Sequence, residues 1–174
     1  MRYLSFCLLL VTLVSCTSQK EQDAIEIKTN LDLVDQGFND NKLDTAASRK
    51  AETEIKAFVA AYPEDSLSAG YLFKLGMLYQ KQRNFKEAID AFDKVYTDYP
   101  TTGYSRNAVF LQGFLYANEL NNLDKAKEKY ELYLEKYSGI DPKMTSDVQM
   151  ELQNLGKSPD EILKEIQAKE GAAI

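Results

Sequence analysis

Residues 69–100 read AGYLFKLGMLYQKQRNFKEAIDAFDKVYTDYP. Leu72, Leu75 and Tyr79 recur at steps of three and four residues, the spacing that lines one face of a helix. A polar stretch at 81–84 interrupts the pattern, and Ala88, Phe92 and Val95 then resume it. Pro100 closes the stretch, because proline lacks the amide proton and clashes with the preceding turn of a helix. Two helices joined by a short polar turn fit these 32 residues; a strand does not.

The same reading extends outward. All four prolines, Pro63, Pro100, Pro142 and Pro159, fall between apolar-periodic segments. The segments predict helices at 43–62, 66–82, 85–98, 103–120, 123–137, 143–155 and 159–169. The last starts with Ser158 as cap, Pro159 at the first helical position and Glu161 behind it, and Gly156 ends its predecessor. Residues 24–41 are ambiguous. Ala24-Ile25-Glu26-Ile27-Lys28 alternates like a strand, yet Ile27, Leu31, Leu33 and Val34 line a helical face; the segment is read as a helix broken by Gly37 and Asn39-Asp40-Asn41. Residues 17–23 read as a polar tether.

The chain repeats itself. Ala51, Ile55, Phe58 and Tyr62 precede Pro63; Ala88, Phe92, Val95 and Tyr99 precede Pro100; Ala126, Tyr130, Tyr133 and Tyr137 precede Ser138. The three sets are spaced identically, at offsets of 37 and 38 residues. Two of them follow a further helix, carrying Leu72, Leu75, Gly76 and Tyr79 in one and Val109, Gln112, Gly113 and Tyr116 in the other. This pattern resembles the tetratricopeptide repeat. Residues 69–100 match it nearly throughout, whereas 106–138 depart at Gln112, at an extra residue near Asn121-Asn122 and at Ser138, and the first unit shows only its second helix. The fold class expected is all-α: a tetratricopeptide-like antiparallel helix-pair array over 42–138, with capping helices over 139–174 through Leu152, Leu155, Ile162, Leu163 and Ile166. An ordinary helical bundle is the alternative. Gly76, Gly113, Ala88 and Ala126 are small where paired helices approach, and Tyr79, Phe92, Tyr116 and Tyr130 fill the gaps between pairs.

The amino terminus has a separate grammar. Arg2 precedes the apolar run 3–14, no acid appears before Glu21, and the run is shorter than the ~20 residues a spanning helix needs, so 1–15 reads as an export signal peptide. Leu13-Val14-Ser15-Cys16 resembles the bacterial lipobox. The resemblance implies that Cys16 becomes the first residue and carries a diacylglyceryl thioether, within a segment 16–41 of anchor, tether and ambiguous helix. A plain cleavable signal with a chance cysteine is the rival reading. The other cysteine, Cys7, falls in the part removed. Thr17, in place of an aspartate, favours the outer membrane, with the domain facing the periplasm. A tetratricopeptide lipoprotein of the envelope, of the outer-membrane-assembly or cell-division-coordinator kind, is the type it resembles, and Tyr62-Pro63 and Tyr99-Pro100 are shared with that group.

Composition narrows the chemistry. The formal net charge is −6, and loss of 1–15 removes Arg2 and no acid, leaving a more acidic remainder. An acidic chain opposes nucleic-acid binding. With no histidine, the commonest general base is missing, and Ser-His-Asp and Cys-His sites are excluded. No glycine-rich phosphate loop or zinc-ligand pattern is present, so neither metal nor cofactor is expected. The run at 39–44 lacks the ligand spacing and turn glycine of a calcium loop. Two of the 27 acids acting as a wall-hydrolase pair is the one enzymatic reading left, and no motif supports it.

In the resembled family the first helix of each repeat lines a concave groove. Carried over, the groove residues are Phe73, Met77 and Gln80 from one repeat and Phe110, Phe114, Ala117 and Asn118 from the next. They form a stripe distinct from that of Leu75 and Tyr79. Two readings fit: a groove for a protein or peptide partner, or core covered by 24–41 or by a C-terminal helix. The resemblance implies a non-enzymatic binding scaffold held to a membrane by lipid; self-association of the repeats is the alternative.

Overall fold

The computed structural model describes residues 18–40, 42 and 44–171. The segment expected to be an export signal, and Cys16, expected to carry the lipid, lie outside the described residues. Within them the chain forms eight helices and no strand: α1 Gln19–Asn39, α2 Thr45–Ala61, α3 Ser66–Lys81, α4 Phe85–Asp98, α5 Gly103–Asn118, α6 Leu123–Tyr137, α7 Pro142–Asn154 and α8 Pro159–Gly171.

Most of the starts have a visible chemical cause. A helix leaves its first amides unbonded, and a side-chain oxygen just ahead of it satisfies one or two. Asp44 accepts from the amides of Ala46 and Ala47, Asp65 from Leu67, Asn122 from Lys125 and Asp141 from Met144. Pro142 then occupies the first turn of α7, where no amide is needed. In the turns α3–α4 and α5–α6, Arg83 and Asn121 take left-handed backbone angles (φ 61° and 47°), so both units reverse through the same device.

Each helix through α7 packs on its neighbour in the chain, and α3 also meets α5, which is the layout of stacked helix pairs. One hydrophobic cluster joins Ile27 and Val34 of α1, Ile55 and Phe58 of α2, Leu75 of α3, and Phe92 and Val95 of α4. A second joins Val109 of α5, Tyr130 and Tyr133 of α6, and Val148 of α7. The expected close approaches are present. A Cβ on Gly76 would stand 2.5 Å from the Phe92 ring, and one on Gly113 would stand 2.6 Å from the Tyr130 ring. Ala88 and Ala126 are fully buried.

Two expectations need correction. The polar tether does not reach residue 23, since α1 begins at Gln19. Ser18 and Glu21 form a reciprocal capping box there, and Lys20 bonds Asp65 at 2.7 Å, tying the first turn to the start of α3. The helix expected from residue 24 is present within α1, which runs through Gly37 to Asn39, and the alternation at 24–28 is only apparent, because Ile27 is buried while Ile25 is 60% exposed on the outer face of the same helix. At the other end only α7 caps the array. Leu152 and Leu155 pack on the second cluster, but Leu163 and Ile166 of α8 stay exposed. Gly156, at φ 79°, turns the chain after α7, and an ion pair of 2.7 Å between Lys157 and Glu165 holds α8 to that turn.

Candidate functional site

The sequence-derived stripe lies on α3 and α5, which touch directly. Phe73 is half-buried, its ring 5.4 Å from those of both Phe92 and Tyr104. Met77 packs at the edge of the first cluster and, with Lys28, Leu31 and Asp35 of α1, lines a small cleft of about 160 Å³. Gln80 is half-buried, and its Oε1 has no hydrogen-bond partner among the described residues. On α5, Phe110 leans on Tyr130 at 6.2 Å, and Ala117 packs on the second cluster. Phe114 is half-exposed and belongs to neither cluster. Asn118 is exposed and donates to the Phe114 carbonyl. Of the seven residues, Phe73, Met77, Phe110 and Ala117 pack on the hydrophobic clusters, Gln80 is half-buried, and Phe114 and Asn118 lie outside the clusters with their side chains partly or wholly exposed. Helix α1 packs along α2 as the first member of its own pair, with Lys28, Asp32 and Asp35 at the α3 border.

A second concavity lies between α2 and α4, with α3 as its floor, and holds about 810 Å³. Leu72, Leu75 and Tyr79 form the floor, with Val59, Ala60 and Ala91 on the walls. At one rim the Tyr79 hydroxyl donates to Glu52 at 2.7 Å, and Lys56 bonds the same carboxylate at 2.6 Å. The hydrogen bond from Lys56 holds the Glu52 carboxyl below its ordinary range, while burial raises the Tyr79 phenol. The corresponding space between α4 and α6 is crossed by side chains, which leave about 530 Å³ at its Tyr96–Lys136 end: Lys129 pairs with Asp93 at 3.5 Å, Lys136 bonds the Tyr96 hydroxyl at 2.7 Å, and Gln112 reaches the Ile89 carbonyl at 3.2 Å. In the repeat register Ala91 stands where Lys129 does, and Val59 where Tyr96 does. Two short side chains leave the first cleft open.

Residues 71–102 and 107–139 match the family model of the tetratricopeptide repeat. The chain carries tetratricopeptide repeats. The matches coincide with the pairs α3–α4 and α5–α6. The pair α1–α2 lies outside them yet stacks on the first tetratricopeptide repeat through α2 and α3. No curated protein matches the chain. Tetratricopeptide arrays are frameworks for protein interaction, and both concavities belong to the array. The α2–α4 cleft had a signal in the sequence, the replacement of Lys129 and Tyr96 by Ala91 and Val59 one repeat earlier. That signal reads only once α2 and α4 are known to be parallel neighbours across α3. Among the described residues no group of three or more metal-ligating side chains is gathered.

Proposed function

We propose that this chain is a lipid-anchored tetratricopeptide scaffold of a bacterial cell envelope, holding a protein partner near the membrane through the α3–α5 face. The two matched repeats are the observation that carries the scaffold reading. The anchor rests on Leu13-Val14-Ser15-Cys16, and Thr17 supports the outer membrane, periplasm-facing, with a part in outer-membrane assembly or envelope maintenance. No described helix is long and apolar enough to cross a membrane. Only three residue steps separate Cys16 from the start of α1 at Gln19, a reach of roughly 10 Å, so the repeats would ride close to the lipid surface.

The test compares wild type, Cys16→Ser and Phe114→Asp by crosslinking in membranes. Phe114→Asp is preferred to a change at Phe110, whose ring packs on Tyr130. Cys16→Ser is expected to lose acyl incorporation and leave the membrane fraction. Phe114→Asp is expected to stay there with unchanged circular dichroism and to lose its crosslinked partner. Retention of the same partner by Phe114→Asp defeats the α3–α5 reading. Retention of acyl label by Cys16→Ser defeats the anchor.

A further inference from the structure

We infer that the α2–α4 cleft is a second binding site, independent of the α3–α5 face, and that it takes a helical peptide segment with an aliphatic stripe and lysine or arginine at both ends. Shape sets the class of occupant. The cleft runs beside α4 from Glu87 to Asp98, roughly 16 Å or about three helical turns. Its floor of Leu72 and Leu75 is continuous with the core, and Ala91 keeps it from being crossed. A helix laid there would seat apolar residues at steps of three and four against that floor.

Charge sets the flanks. Glu87 and Asp90 border one end, and Glu64 and Asp98 the other. Two of these acids are already paired: Asp90 with Lys86 at 3.1 Å and Asp98 with Lys94 at 3.9 Å, while Lys56 is engaged by Glu52 at 2.6 Å. Among the described residues Glu64 and Glu87 form no ion pair, so both rims offer carboxylates to a cation. Acidic ends about an apolar middle are complementary to a basic-flanked aliphatic helix and repel an acidic one.

The probe is a fluorescent synthetic peptide of about three turns, with leucines at steps of three and four and lysines at both ends. It is titrated by anisotropy against the full chain in detergent. Saturable binding is expected, with the affinity reduced at least tenfold by Ala91→Lys, which rebuilds the plug that Lys129 forms in the next cleft. Ala91 is buried, so the double variant Glu64→Lys, Glu87→Lys, at two exposed positions, gives the same test without touching the core. It is expected to weaken binding about tenfold and flatten its salt dependence, whereas Phe114→Asp changes nothing. Absence of saturable binding at millimolar peptide overturns the proposal, as does equal affinity of wild type and the double variant. So does equal binding of a peptide ended by glutamates. Light scattering that shows a dimer of the chain, abolished by Ala91→Lys while the peptide fails to bind, assigns the cleft to a second copy and overturns it too.

Discussion

Gly76 and Gly113 set the distance between the members of the two matched helix pairs. The ring of Phe92 lies where a Cβ of residue 76 would go, and the ring of Tyr130 where one of residue 113 would go. Alanine in a helix gains about 1 kcal/mol over glycine from backbone entropy, but forcing a methyl into a filled core costs about 1–3 kcal/mol. Both neighbours are fully buried aromatics held on their far sides, so the steric cost wins. Gly76→Ala and Gly113→Ala are expected to lower stability by about 1–2 kcal/mol in urea unfolding. Gly103, in the first turn of α5 with nothing within 4 Å of its Cβ position, is the control, and Gly103→Ala should raise stability by a few tenths to about 1 kcal/mol. Equal effects at all three would mean that the glycines are not spacing residues. These glycines were legible in the sequence because a repeat displays the same small residue twice in phase. The openness of the α2–α4 cleft was not, because it depends on what Ala91 and Val59 fail to reach across α3.

At the scale of elements, α7 and α8 look alike in sequence and differ in work. Both carry apolar residues at helical spacing and both start at a proline. Val148 of α7 is fully buried over Tyr130 and Tyr133, whereas Leu163 and Ile166 of α8 are 53% and 48% exposed. Periodicity reports that a helix has an apolar stripe; it does not report whether another element is there to receive it. The strand-like alternation within α1 has the same origin, an exposed Ile25 beside a buried Ile27 on one helix. Truncation after Gly156, which removes α8, is therefore expected to shift the melting temperature by no more than a few degrees. Truncation after Ser138 removes α7 as well and uncovers the aromatic seam of α6, and it should lower the midpoint steeply or drive aggregation. Thermal unfolding by circular dichroism with light scattering checks both. A large loss on removal of α8 alone would show that its stripe is seated after all.

The whole molecule is a short array with unequal halves, and its dynamics should follow from that. The first cluster gathers 18 buried residues from α1 to α5, and the second gathers six from α5 to α7. Helix α5 is the seam, giving Ala108 and Leu115 to the first and Val109 to the second. The second cluster is also the more polar, since among the described residues the hydroxyls of Tyr130 and Tyr133 are buried without a close hydrogen-bond partner, and burial raises both phenols, that of Tyr130 well above its ordinary range with the nearby Glu151 adding to it. An unsatisfied buried hydroxyl costs about 1–3 kcal/mol, which weakens this end further. In a linear array each unit is held only by its neighbours, so the end with the smaller core can open while the rest stays folded. Native-state hydrogen exchange across a urea series should then show α6 and α7 opening together, at a free energy about 2 kcal/mol or more below that of α3 and α4. The α2–α4 cleft lies wholly in the more stable half, so a peptide bound there should raise the protection of α2 to α4 and leave α6 and α7 unchanged. Exchange of all helices at one free energy would show a single cooperative unit, and the partition at α5 would then be wrong.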